Sequence, residues 1–312
     1  MKKLLYLLLV AGLGACQSEL AGQKTLVAVG ASTTSSTLLA LGDTLPDIQV
    51  PVWHDYIVRD DITSAPVTEP AEIARFFQQH NLTSLLQTAT GSQRDYALNG
   101  FRGAAKYRTE VVVQQVRQDA QNSAVYYLVG LSRTKRQITS FEGQVTLEAL
   151  SREPLPTEAD QAYVKEWSMS VLPVGSVRNS ANEPVARYAV GGRVALQEKS
   201  QKPASQNFTG TLIVELALTK SGEIVLNNPF LHGPSQGGGL KYEGSWTPSR
   251  GGRRQPSVWV RDIIGYSPNI FGDLVVGERE FHINPKYAKL GWNEYWANDE
   301  WWAASPKPRL GL

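Results

Sequence analysis

Gly233-Pro234-Ser235-Gln236-Gly237 has the G-x-S-x-G spacing that, in serine hydrolases, lifts a nucleophilic hydroxyl onto a strained strand-to-helix turn. Gly238 and Gly239 follow at once, so a helix starts badly there and the stretch reads as a flexible glycine-rich loop. The four histidines, His54, His80, His232 and His282, are too widely spaced for two imidazoles to reach one metal from a single helix. A site assembled across the fold, for example around His54 and Asp55, is the remaining route to a metal, and neither a metal nor a cofactor is expected. The carboxylate pairs Asp60-Asp61 and Glu278/Glu280 have the residue type for glycoside hydrolysis, but that chemistry depends on a separation across a cleft that spacing does not fix. Arg250-Gly251-Gly252-Arg253-Arg254 is a basic glycine turn that would grip an anion or, the simpler expectation, form a solvated hairpin tip.

Aromatic residues offer a different chemistry. Six of the eight tryptophans, Trp246, Trp259, Trp292, Trp296, Trp301 and Trp302, follow residue 240, with Tyr295 among them. Exposed coplanar rings stack on sugars, which makes Trp292, Tyr295, Trp296 and Trp301 the candidate ligand-binding residues. Large rings are more often buried, and filling a sheet's core is the alternative use and the favoured one.

The clearest chemistry lies at the start of the chain. Met1-Lys2-Lys3 is cationic and leads into an apolar run, Leu4 to Ala11, too short to span a bilayer as a permanent helix. The run ends in Leu13-Gly14-Ala15-Cys16, which resembles a lipobox, the signal that places a diacylglycerol on the cysteine. Cys16 is the single cysteine, so it has no disulfide partner and lipidation is its expected role. Cleavage before it removes Lys2 and Lys3, leaving 29 of the 31 basic residues against 29 acidic ones. A neutral chain is a poor ligand for phosphate backbones, so no nucleic-acid partner is expected. Gln17-Ser18-Glu19 places no aspartate after the cysteine, which favours the outer membrane over inner-membrane retention; the leaflet stays open.

These groups must be positioned by a mainly β framework. Residues 1–15 read as signal peptide and 16–47 as a lipidated tether with at most one strand, including Asp43-Thr44-Leu45, a loose match to an O-glycosylation acceptor. Residues 48–312 read as one β-rich domain, with two related halves, about 99–155 and 160–290, as the alternative. One helix is expected where Pro70 suits a first turn, Thr68 can cap, and Ile73, Phe76 and Phe77 share a face; a short helical stretch over 82–88 follows. From residue 100 the period becomes two. Tyr107, Thr109, Val111 and Val113 alternate with the mostly polar Arg108, Glu110, Val112 and Gln114, as in a strand with one wet face. After a polar turn at 119–123 a strand returns over 124–131, and the basic turn Arg133-Thr134-Lys135-Arg136 leads to a third strand over 138–150. Leu212, Val214, Leu216 and Leu218 mark another, and Lys220-Ser221-Gly222 turns it into Glu223-Ile224-Val225-Leu226.

An aromatic-x-Gly pattern recurs as Phe101-Arg102-Gly103, Phe141-Glu142-Gly143, Phe208-Thr209-Gly210 and Tyr242-Glu243-Gly244. Residues i and i+2 share a face, so each glycine makes room for a ring and allows strong coiling. The uneven spacing excludes a propeller or solenoid and leaves an antiparallel sandwich or barrel with one or two short helices near the N-terminus.

Several stretches resemble a family of uncharacterised Bacteroidota lipoproteins: Asn99-Gly100-Phe101-Arg102-Gly103 with Tyr107-Arg108, Gly130-Leu131-Ser132-Arg133 before Phe141-Glu142-Gly143, Gly244-Ser245-Trp246, Glu280-Phe281, Asn284-Pro285-Lys286-Tyr287, and Gly291-Trp292. The resemblance spans residues 99–292 and implies architecture and location, without an activity. The expectation is a non-catalytic binding or structural protein held at the membrane through the lipid on Cys16, with a glycan or an envelope protein as partner. Two alternatives stand beside it: a glycan-binding protein or glycan-directed hydrolase using the C-terminal rings, and a barrel carrying an apolar ligand, which requires an open interior.

Overall fold

Alternation of apolar and polar residues does close a sheet on itself. The computed structural model describes residues 65–88, 97–155, 157–158, 183–199, 205–227, 237–261, 263, 275–276, 282–283, 285–295 and 299–304. All of these belong to the unit Pro46–Leu312. The strands are β1 (Ala65–Pro66), β2 (Leu98–Arg102), β3 (Tyr107–Gln118), β4 (Val125–Thr134), β5 (Gln137–Glu153), β6 (Pro184–Lys199), β7 (Gln206–Thr219), β8 (Ile224–Leu226), β9 (Leu240–Pro248) and β10 (Gln255–Val260), with β11 (Val275–Val276) and β12 (His282–Ile283) as a separate pair. Strands β2 to β7, then β9 and β10, pair antiparallel in chain order, and β10 returns to pair β2. The fold is an eight-stranded antiparallel barrel, to which each of the two stretches 99–155 and 160–290 supplies four strands. Strands β1 and β8 are short additions on β5 and β7.

The lumen is apolar and filled. Trp259, Tyr242, Phe141, Phe208, Leu128 and Leu212 are each almost wholly buried, and Tyr242 and Trp246 both stack on Trp259. Three of the four aromatic-x-Gly repeats point inward. A Cβ on Gly143 would lie 2.1 Å from the Ala195 carbonyl oxygen, one on Gly210 2.2 Å from that of Glu243, and one on Gly244 2.3 Å from that of Thr209. These glycines let adjacent strands close to a distance that no side chain permits, which produces the tight curvature of a small barrel. Phe101-Arg102-Gly103 behaves differently: Phe101 packs beside Trp292, and Gly103 (φ +77°) begins the β2–β3 turn.

Two short helices stopper one mouth. Helix α1 (Pro70–Gln79) buries Phe76 and Phe77, and α2 (Thr83–Leu86) buries Leu85 and Leu86. The Phe76 ring lies 4.8 Å from that of Tyr188, and the Leu82 N–H donates to the Tyr126 hydroxyl at 3.0 Å. The cap position of α1 falls on Glu69, one residue after Thr68, and no side chain caps it; Pro70 at the first helical position has no N–H, so one of the unpaired donors of a helix start is absent.

The opposite mouth carries a polar plug. Arg102 donates to Glu198 Oε1 (2.8 Å), Gln255 Oε1 (3.0 Å) and Gln206 Oε1 (2.5 Å), and its guanidinium sits 4.7 Å above the Trp246 ring. Glu198 also accepts from Thr139 at 3.2 Å. The inside is apolar, and among the described residues the large apolar side chains that are exposed are Val129, Ile138, Leu155 and Val185. Among the described residues no helix is long and apolar enough to cross a membrane.

Candidate functional site

The outer face of β3 is not wet. Arg108 and Glu110 lie on the face of β3 opposite Val111 and Val113, yet both are buried, and the C-terminal segment contacts Arg108 and Arg133, the two cations that pair with Glu110. In this segment α3 (Pro285–Ala288) leads into a 3-10 turn, Trp292–Glu294, and on to residues 299–304. Trp292 is 0% exposed, packs with Val258, Val260 and Ile263, and donates its indole N–H to the Lys106 carbonyl at 2.9 Å.

Under that strap lies an ion network. Glu110 accepts from Arg108 Nη2 at 2.9 Å and from Arg133 Nε at 2.6 Å. Arg133 reaches on to Asp299 with Nη1 to Oδ2 at 2.5 Å and Nη2 to Oδ1 at 3.0 Å, a bidentate pair. Arg108 donates to the Glu294 carbonyl (3.1 Å) and to Asn99 Oδ1 (2.9 Å). Each guanidinium is covered by a ring from the strap: Tyr295 at 5.5 Å from Arg108, and Trp301 at 4.9 Å from Arg133. Burial lowers the Arg108 pKa from its ordinary value, with Glu110 working against that. For Arg133, burial is outweighed by the bonds from Asp299 and Glu110, and the charged form is reinforced. Both remain cations at any ordinary pH.

Beside the network opens a cavity of about 270 Å³ lined by Arg108, Glu110, Arg133, Lys135, Arg136, Lys289, Gly291, Asn293 and Glu294. Five cations thus face two carboxylates. Lys135 and Arg136 form the two-residue turn between β4 and β5, both left-handed at φ 51° and 68°. A turn of this kind favours Asn-Gly, because a Cβ is strained there. Lys135 Nζ stands 3.4 Å over the Tyr107 ring, and Arg136, mostly exposed, pairs with Glu294 at 3.2 Å. The Arg108 Nε is buried and has no hydrogen-bond partner among the described residues. The cations that line it are suited to holding negative charge.

A larger cavity, about 630 Å³, lies near the helix-stoppered end, lined by Gln78, Asn81, Thr83, Arg117, Gln118, Asp119 and Gln121. Its one lining cation and one carboxylate offset each other. Asp119 already accepts from the Gln121 and Asn122 N–H groups and the Tyr127 hydroxyl, so the groove carries no surplus charge.

Of the candidates read from the sequence, two rings adjoin the ion network. Tyr295 and Trp301 are half-buried against the network, Trp301 meets Trp302 edge to face at 5.6 Å, and Trp292 is wholly inside. His80 packs 4.6 Å from the Phe76 ring, and burial lowers its pKa. Arg250 to Arg254 form the exposed tip of the β9–β10 hairpin. Cys16 and the tether at 16–47, His54, Asp55, Asp60, Asp61, His232, Ser235, Glu278, Glu280 and Trp296 lie outside the described residues, as does the side chain of His282. The residues that sequence reasoning missed are Arg108, Glu110 and Asp299, whose polar character suggests solvent, and Arg133, which reads as part of a turn but stands in β4. The run Arg133-Thr134-Lys135-Arg136 was the available signal.

No protein-family model, curated protein or solved structure matches the chain.

Proposed function

We propose that this protein is a lipid-anchored, non-catalytic binding protein of the cell envelope, tethered through Cys16 and seated at the outer membrane. The lipobox-like Leu13-Gly14-Ala15-Cys16, the neutral mature chain and the resemblance to Bacteroidota lipoproteins support the address. The binding role rests on one observation: the lumen is occupied by the protein's own rings and aliphatic side chains, so recognition falls to the outer wall and rims. An interior carrier needs a concave apolar cavity of its own, and Trp259, Tyr242, Phe141 and Phe208 take up that space. A glycan platform needs flat exposed rings; of the four candidates Trp292 is wholly buried, Tyr295 and Trp301 are half-buried against Arg108 and Arg133, and Trp296 lies outside the described residues.

Metabolic labelling of the producing cell with a radiolabelled or clickable palmitate tests the tether. The label is expected on the wild-type chain in the outer-membrane fraction and absent from Cys16→Ala. Equal labelling of both, or a wild-type chain released to the medium, overturns the reading.

A further inference from the structure

We propose that the cavity between the β4–β5 turn and the C-terminal strap is a binding site for a phosphate monoester. This rests on the reading of the barrel as a binding protein for its biological sense, though the binding itself stands apart from the tether. Four observations carry it.

Charge comes first. Arg108, Arg133, Lys135, Arg136 and Lys289 line the cavity with Glu110 and Glu294, and with Asp299 bound to Arg133 the cluster keeps a surplus of two positive charges, which matches a dianion. Size comes second: about 270 Å³ lies just under the ~300–1,000 Å³ of sites for drug-sized ligands and fits a small anion on a polar body.

Construction is the third. Arg108 and Arg133 are held in place by Glu110, Asn99 and Asp299, so the wall is preorganised and its charge is already desolvated.

The fourth is strain. Lys135 and Arg136 both occupy left-handed conformations that glycine and asparagine fill at lower cost, and so does Lys106 (φ 57°) in the neighbouring β2–β3 turn. The β4–β5 turn accepts that strain and presents two cations at the mouth of the cavity. Arg136 is joined to Glu294 by an exposed pair of little energetic weight, so it is free to swing onto an incoming anion.

The test is calorimetric titration of the full chain in detergent with glucose 1-phosphate, with dihexanoyl phosphatidic acid and with glucose. The first ligand represents a free phosphate monoester, the second a lipid headgroup, and the third is the neutral control. Binding of either phosphate with none of glucose is expected, and the tighter of the two identifies the source. Lys289→Ala and Arg136→Gly, both at exposed positions, should each weaken it by about tenfold. Raising the salt should weaken it further. Equal heats for glucose and the phosphates, or unchanged affinity in both variants while they remain folded by circular dichroism, would overturn the proposal.

Discussion

Arg133 on β4 and Asp299 in the C-terminal strap, 166 residues apart in sequence, share two hydrogen bonds of 2.5 and 3.0 Å in a buried setting. This pair fastens the strap to the barrel wall, with Trp301 covering the Arg133 guanidinium. Removing one partner leaves a buried charge short of its counter-ion. Asp299→Ala should therefore destabilise the protein by about 3 kcal/mol. Hydrogen exchange separates this from a general loss of structure: the Leu290, Gly291 and Tyr295 amides should lose protection while those of β5 to β7 keep theirs. Parallel loss in both sets would mean that strap and barrel unfold as one unit.

The inward glycines set the barrel's curvature. A Cβ at Gly143 would meet the Ala195 carbonyl oxygen at 2.1 Å and the Leu196 Cα at 2.7 Å, both backbone atoms that cannot step aside. Gly143→Ala should cost about 3 kcal/mol by urea denaturation, as overpacking that moves a strand. At Gly103 the new methyl meets nothing within 4 Å and only the positive φ resists, so Gly103→Ala should cost about 1 kcal/mol. The order of the two costs is the point of the comparison.

Tyr242 puts a hydroxyl in the filled lumen, where it finds no hydrogen-bond partner among the described residues and burial pushes its pKa well up. Tyr242→Phe keeps the stack on Trp259 and removes an unmet polar group, so the variant should be more stable than the wild type by about 1 kcal/mol. A loss of stability would reveal a partner for that oxygen inside the barrel.

Lys135→Asn combined with Arg136→Gly gives the β4–β5 turn the residues its backbone prefers. A rise in stability of about 1–2 kcal/mol is expected, read as a higher melting temperature. The same variant should lose affinity for glucose 1-phosphate. Stability and binding then move in opposite directions, which a purely structural role for these cations does not produce.

Local sequence carried much of this fold. The alternation in 107–113 and 211–218, the glycine at the turn after Thr219, and the Ile73/Phe76/Phe77 face each specify an element from nearby residues alone. The aromatic-x-Gly repeats pointed to coiling in three of four cases, because ring and glycine share a face whatever the fold. Closure was not legible: the pairing of β10 with β2 joins Val258 to Phe101, and no local period records so distant a partner. The site was hidden for a related reason. Arg108 and Glu110 have the composition of a wet strand face, and only the return of Trp292 and Asp299 from the far end of the chain converts it into a buried network. Arg133 was taken into the turn by its charged neighbours, although its strand parity places it beside Glu110.

The central claim is that the lumen is full and that recognition takes place on the outer wall. Amide chemical-shift mapping of the full chain in detergent, titrated with glucose 1-phosphate and separately with a long-chain fatty acid, tests it most directly. Shifts confined to residues 108–110, 133–136 and 289–294 with the phosphate, and none at Val194, Leu212 or Trp259 with the fatty acid, are predicted. Saturable shifts at those inward residues would contradict the account and make the barrel a carrier.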